Sequence, residues 1–361
     1  MIGSAARPGR LAAVPDPSRT GRDLALLPKA HLHVHLEAAV RQATLREIAA
    51  AVGAVPPEPP PVAGFDGFRA FADHNALVRA CLRRPEDFTR VAEEFLADEA
   101  AQGVRYVEVT FTAASHGERL GDLEMPLAAV LAGLERGRAA HGVEFGVLLD
   151  HSRRRSAARF RRTLDLALRY APRGVVGIGV AGDESHPLAP FAEVVDAAAA
   201  AGVRLVHHAG ECAGAASVRE AVGLGRAARI GHGFRVLEDP AAVAELRERA
   251  IPLELCPSSN VALGLVPSLA AHPLPALVAA GLAVTLNTDV PAAARTTLAE
   301  EYRRVRDAFG YGDAELAGFA RTAADASFAP TRVRAELHAG IDGWLAGGSS
   351  RDDRPRRSLA P

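Results

Sequence analysis

"KAHLHVHLEAAV", residues 29–40, places histidines at positions 31, 33 and 35. They alternate with Leu32, Val34 and Leu36, and alternation is the two-residue period of a β-strand. The pattern therefore predicts one apolar face and one face carrying all three imidazoles. Short apolar runs of similar length recur along the chain, with Ala/Leu/Arg/Glu-rich helical segments between them. The runs are 29–36, 104–111, 144–150, 175–181, 204–209, 229–232, 252–256 and 283–288. Strands alternating with helices imply a parallel sheet with crossover helices, and eight of them predict a closed (β/α)8 TIM-type barrel. The competing open doubly wound sheet lacks its commonest signature, because no G-x-G-x-x-G follows the first strand. The longest connection, 37–103, carries at least two helical patterns and predicts a helical insertion between strands one and two. On a barrel it rises over the catalytic face.

Composition narrows the function. The chain has 361 residues, 48% hydrophobic, with 42 basic against 43 acidic side chains and a net charge of −1. No chain-wide field draws it to nucleic acid or to an anionic membrane, so a small-molecule partner is expected. The sequence carries no signal for an oligomeric state. Three widely spaced cysteines, Cys81, Cys212 and Cys256, argue against a disulfide framework and suit a reducing cytoplasm. Residues 1–24 lack the apolar core of a signal peptide and read as a flexible tail, as do 346–361. One domain, 25–345, is expected between them. The arginines at 153–155, 159, 161 and 162 read as a solvated helix face.

Barrel active sites sit at the carboxyl ends of the strands. Strand one ends with His33 and His35, strand four runs into Gly182, Asp183 and Glu184, and strand five into His207, His208 and Glu211. Strand six ends at His232 and strand eight at Asp289. His33, His35, His208 and Asp289 form a nitrogen and oxygen set suited to Zn2+, leaving a position for water. Glu211 is then placed to shuttle protons, which makes this a hydrolase constellation. His31 is expected to point into the barrel below the metal pair, and His207 to face away from His208. Cys256 reads as a buried filler, and "CPSSN" (256–260) as a tight turn.

Taken in order, these motifs resemble the adenosine deaminase family of metal-dependent amidohydrolases. "LPKAHLHVHLEAAVR" (27–41) is similar to the family's opening P-K-x-E-L-H-x-H-L-[DE]-G. "GVRYVEVTF", "VVGIGVAGDE", "HHAGE", "RIGHGFRVLEDP", "LELCPSSN" and "VTLNTDVP" follow in family order, over roughly 27–340. The resemblance implies one zinc ion per chain, held by His33, His35, His208 and Asp289. It implies that Glu211 protonates purine N1 while hydroxide, oriented by His232, attacks C6 to give an inosine-like product and ammonia. It places the Gly182 backbone against the ring and Glu37 at the ribose end, with His35 also near the substrate.

Four positions depart from the family pattern. Val290 stands where the family has a second aspartate that contacts purine N7, Glu37-Ala38 replaces Asp-Gly, Thr110 replaces an arginine, and His31 replaces a glutamate. None is a presumed ligand. The expectation is intact deamination chemistry with shifted purine and sugar reading, on a substrate such as aminodeoxyfutalosine or adenine. Two rivals make other predictions: an amide- or ester-cleaving metallohydrolase needs a second metal, and a non-catalytic relative survives loss of Glu211. Gly179 and Ala181 on strand four supply no bridging lysine, which favours a single ion.

Overall fold

The computed structural model describes residues 21–347. Eight strands run in parallel, each within two residues of its predicted run: β1 Lys29–His35, β2 Val104–Phe111, β3 Glu144–Ser152, β4 Val175–Ala181, β5 Arg204–Ala209, β6 Arg229–His232, β7 Leu253–Leu255 and β8 Val284–Leu286. They pair in the order β1 to β8. The circle is completed where Val34 bridges Asp289. There the His35 N–H donates to the Asp289 carbonyl and the Asp289 N–H to that of His33, each at 2.9 Å. The chain thus forms a (β/α)8 barrel. The segment between β1 and β2 contributes three helices, Gln42–Ala51, Gly67–Cys81 and Pro85–Ala101.

The strand outside faces are apolar and pack on the helices, with Val34, Val107, Val109, Val147, Ile178 and Phe95 in one continuous core. The inside is different. Arg229, on β6, is fully buried and ion-paired to Glu108 of β2 and Glu254 of β7. It also donates to the Ala326 carbonyl and lies 3.9 Å from the Phe328 ring centre. This group closes the amino end of the barrel. Three buried charges held by one another's hydrogen bonds can exist there, where an unpaired one would cost several kcal/mol.

One expectation about β1 fails. The three histidines do not share a face, because the pairing with β2 slips between His31 and Val34: His31 lies opposite Val107 and Val34 opposite Val109, three residues against two. The backbone N–H groups of Leu32 and His33 both donate to Asn287 Oδ1, at 2.8 and 3.1 Å. The extra residue is a β-bulge, and it reverses the alternation. His33 and His35 face the interior, whereas His31 turns outward, its Nδ1 2.9 Å from Glu99 Oε2 on the helix Pro85–Ala101.

The expected tails at 1–20 and 348–361 lie outside the described residues. Residues 21–24, expected in the loose tail, are tied down. Leu24 is buried, and the Trp344 indole donates to the Asp23 carbonyl. Among the described residues no helix is long and apolar enough to cross a membrane.

Candidate active site

At the carboxyl end of the barrel five side chains converge. His33 and His35 come from β1, His208 from β5, His232 from the end of β6, and Asp289 from the turn after β8. His35 Nε2 lies 3.1 Å from His208 Nε2 and 3.3 Å from Asp289 Oδ1, and His33 Nε2 lies 3.5 Å from the same oxygen. A tetrahedral ion with bonds of about 2.0–2.1 Å spaces its donors about 3.3–3.4 Å apart. Burial alone would lower the His33 imidazole, yet the Asp289 and Glu254 carboxylates beside it push it up to about 10. The cluster therefore lacks positive charge, which a divalent cation makes good.

Five donors exceed the four that such an ion needs, and the surrounding hydrogen bonds divide them. His33 Nδ1 donates to Glu254 Oε2 at 2.8 Å, so that when a cation takes the place of the ring's second proton the lone pair lies on the buried, partnerless Nε2. His232 is the reverse case. The Leu274 N–H donates to His272 Nδ1, His272 Nε2 donates to Asn260 Oδ1, and Asn260 Nδ2 donates to His232 Nδ1, at 3.1, 3.1 and 3.4 Å. An imidazole that accepts at Nδ1 carries its hydrogen on Nε2, so His232 presents a donor to the cavity. Burial pushes its pKa down to about 3, which keeps the ring neutral. Asp289 is oriented by Ser259, whose hydroxyl donates to Oδ2 at 2.6 Å and leaves Oδ1 toward the histidines.

The backbone is bent to fit. His232 and Asp289 both have positive φ, 63° and 57°, uncommon for side-chain-bearing residues and concentrated at functional sites. Gly231 is required for space, since a Cβ there would sit 2.7 Å from His33 Cε1. Gly179 is fixed by a sharper clash, 1.6 Å from the Val206 carbonyl oxygen, so this position of β4 admits no bridging lysine.

Glu211 lies on the turn after β5, with Oε1 3.7 Å from His232 Nε2. Burial and the nearby Asp289 and Glu184 carboxylates push its carboxyl well above the usual range. That direction favours the protonated form, the form a general acid uses. Its turn is gripped by Glu184, which accepts the backbone N–H groups of Gly210, Glu211 and Cys212 at 2.7–2.8 Å. Arg153 braces the same strand by donating to the His208 carbonyl at 2.7 Å. The arginine run is therefore not uniformly a solvated face: Arg153 is buried, and Arg155 pairs with Glu118.

A cavity of about 480 Å3 opens onto this group and is lined by His35, Glu37, Gly182, His208, Glu211 and Asp289, with Phe68, Phe71 and Arg79 of the helix Gly67–Cys81 across its mouth. Gly182, with φ 91°, exposes its backbone there. Glu37 is buried, and its Oε1 accepts the Thr112 N–H and a hydrogen from His116 Nε2. Burial works against ionisation, but the His116 contact and the Arg79 charge hold the carboxyl down at about 2. Val290, expected to face the substrate, is instead buried in an apolar cluster with Ala38, Ala293, Phe65 and Phe71. The tight turn through Asp289, closed by the Val290 N–H donating to the Thr288 carbonyl at 2.7 Å, sends the next residue back toward the insertion. Two of the four departures from the family pattern therefore touch one another. His207 makes its hydrogen bonds away from the cavity, to the Gly225 carbonyl and the Val180 N–H, and Cys256 is fully buried.

A family model for adenosine deaminase matches residues 28–344. The chain belongs to the adenosine deaminase family. It is 36% identical over 335 residues to a putative adenosine/adenine deaminase of Streptomyces virginiae, covering 90% of this chain and 99% of that one. Among solved structures it is similar to the adenine deaminase of Arthrobacter aurescens, with a TM-score of 0.82 at 29% identity, over 88% of this chain and 99% of that one. It is also similar to an amidohydrolase of Burkholderia ambifaria with bound zinc, with a TM-score of 0.79 at 26% identity, over 92% and 98%. Membership of this family makes the chain a hydrolase acting on carbon–nitrogen bonds.

Several residues of the site escaped the sequence reading: Glu254 behind His33, Asn260 and His272 behind His232, Ser259 behind Asp289, Asn287 at the bulge, and Asp150 in the cavity wall. The only signal for Glu254 was a carboxylate inside the otherwise apolar "PLELC". Asn260 lay in a motif read as a turn.

Proposed function

We propose that this protein is a zinc-dependent hydrolytic deaminase of a 6-aminopurine nucleoside, with one zinc ion held by His33, His35, His208 and Asp289. The reading rests chiefly on the proton arrangement: His33 turns a bare nitrogen and Asp289 a bare oxygen to one point, while His232 turns an N–H and Glu211 an O–H to the space beside it. Zinc supplies acidified water at such a centre. The protein supplies the rest. Glu211 gives its proton to N1 of the purine, which relieves the charge that addition at C6 places on the ring. The His232 N–H holds the attacking oxygen by a hydrogen bond, and Asp289, whose carboxylate burial disfavours but the neighbouring imidazoles keep ionised, accepts the proton that oxygen sheds and passes it to the exocyclic amine, which leaves as ammonia as the C6–N bond breaks. Gly182 offers its backbone to the ring edge, and Glu37 lies toward the substituent on the far side.

The apolar pairing of Ala38 with Val290 takes away a polar group that relatives use to read the purine, and losing one buried hydrogen bond costs about 1–3 kcal/mol. We therefore favour a nucleoside with an altered 5′ group, such as aminodeoxyfutalosine, over adenosine. Adenine is the second reading, suggested by the adenine deaminase named among the similar structures. The test is a spectrophotometric panel of adenosine, deoxyadenosine, adenine and aminodeoxyfutalosine, read beside metal analysis of the purified protein. Ammonia release from at least one, with zinc near one per chain, is expected. No release from any 6-aminopurine would overturn the reading.

A further inference from the structure

The cavity has two differently furnished ends. One is the metal cluster with Glu211 and Gly182. The other, walled by β1, β2 and β3, carries Glu37, Thr112 and Asp150. Glu37 is already engaged by Thr112 and His116. Asp150 is engaged only in part: Thr112 hydrogen-bonds its carboxyl, but Oδ1 is buried and has no hydrogen-bond partner. A buried carboxyl oxygen without a partner is expensive, by an amount comparable to a whole lost hydrogen bond, so a persistent one marks a place where something else binds.

A bare purine base held at N1 and C6 by the first end has no hydroxyl to offer the second. A nucleoside does. The volume of about 480 Å3 also lies within the range that encloses a drug-sized ligand. Arg79 completes this end. Burial and the neighbouring Glu37 carboxylate raise the Asp150 carboxyl, against the opposing pull of His35, Thr112 and Arg79; a carboxyl keeps an acceptor oxygen for O–H donors in either protonation state.

We infer that Asp150 is a specificity-determining residue, whose carboxyl accepts a hydrogen bond from a sugar hydroxyl of the substrate and so selects a nucleoside over a free base. The inference rests on the deaminase reading above for the pose of the ring, but it is tested separately. First, kcat/KM of the zinc-loaded wild type is compared for adenosine and its 2′-deoxy and 3′-deoxy analogues. One deoxy analogue should be slower by roughly 10- to 100-fold, the loss that follows from leaving one buried acceptor unpaired. In Asp150→Ala that ratio should fall to near one whatever the overall rate, and in Asp150→Asn, which keeps a carbonyl oxygen, part of it should remain.

Second, calorimetric titration with inosine and with hypoxanthine needs no turnover. The wild type should bind inosine at least tenfold tighter, and Asp150→Ala should lose that margin. Failure of every 6-aminopurine to release ammonia condemns the deaminase reading, and the calorimetry still judges Asp150. The inference is overturned if both deoxy analogues match adenosine, if the discrimination survives in Asp150→Ala, or if inosine and hypoxanthine bind alike. Any of these would assign the carboxyl to the small cavity on its other side, about 10 Å3 and bounded by His33, Thr110 and His208, which is large enough for about one water.

Discussion

The two ends of the barrel bury similar chemistry to opposite effect. At the amino end Arg229, Glu108 and Glu254 are fully enclosed, and every one of these groups is matched to another. At the carboxyl end His33 Nε2, His232 Nε2 and Asp150 Oδ1 are equally enclosed and have no partner. The charged group at one end is saturated, and the group at the other is left with open valences. Folding tolerates the second because the first, with the apolar outer layer, holds the strands regardless, and the strain at His232 and Asp289 sits on the same open side. Glu254 joins the two: one oxygen takes the Arg229 guanidinium, the other the His33 Nδ1–H.

The contrast can be broken at either end. The largest effect is expected from Glu211→Gln, which keeps shape but removes the transferable proton; kcat should fall roughly 10²- to 10⁴-fold with zinc content and melting temperature unchanged. Retention of most of the rate would favour a non-catalytic relative. Arg229→Leu acts at the saturated end and leaves Glu108 and Glu254 buried without their cation. A loss of about 3–5 kcal/mol in unfolding free energy is expected by denaturant titration. A variant that stayed stable yet lost activity would show that the floor serves the site rather than the fold.

Asn260→Leu tests the relay from His272. Without the amide donor His232 is free to swap its hydrogen to Nδ1, and kcat is expected to drop about 10- to 100-fold at unchanged zinc content; the alternative result, loss of zinc, would make His232 a ligand. The gentlest test concerns His151, which burial holds down at about 4 against an ordinary value of about 6.5. The folded state keeps this ring neutral, so the unfolded chain binds the extra proton between those values. Stability is present above pH 6.5 and falls as pH drops toward 4, by about 1.4 kcal/mol per unit. His151→Phe, which preserves the stack on Phe160, should flatten that part of the melting-temperature profile.

The fold was nearly all legible, because each strand is a short apolar run bounded by helical segments and a parallel barrel needs no more than that pattern repeated eight times. The strand-end residues His33, His35, Gly182, Glu211, His232 and Asp289 were legible for the same reason: once a strand is placed, its last residues are near the rim, and all but His33 line one cavity, with His33 behind them, its Nε2 3.5 Å from Asp289 Oδ1. What escaped were the residues that act by touching those. Glu254 and Ser259 lie far from His33 and Asp289 in sequence, and Glu184 was read as aiming at the rim when it grips the Glu211 turn from behind.

The "HLHVH" motif shows where the division lies. Sequence by itself determined that residues 29–35 form a strand, that the chain closes an eight-stranded barrel, and which imidazoles and carboxylates reach its rim, since these depend on local periodicity and order along the chain. Only the tertiary structure decided that His31 turns outward, that His232 presents an N–H while His33 presents a lone pair, and that Val290 joins Ala38 instead of the substrate. The physical reason is the same in each case. A bulge, a tautomer and a buried contact are set by the group across the way, Asn287, Asn260 or Phe71, and no periodicity within a strand records what stands opposite it.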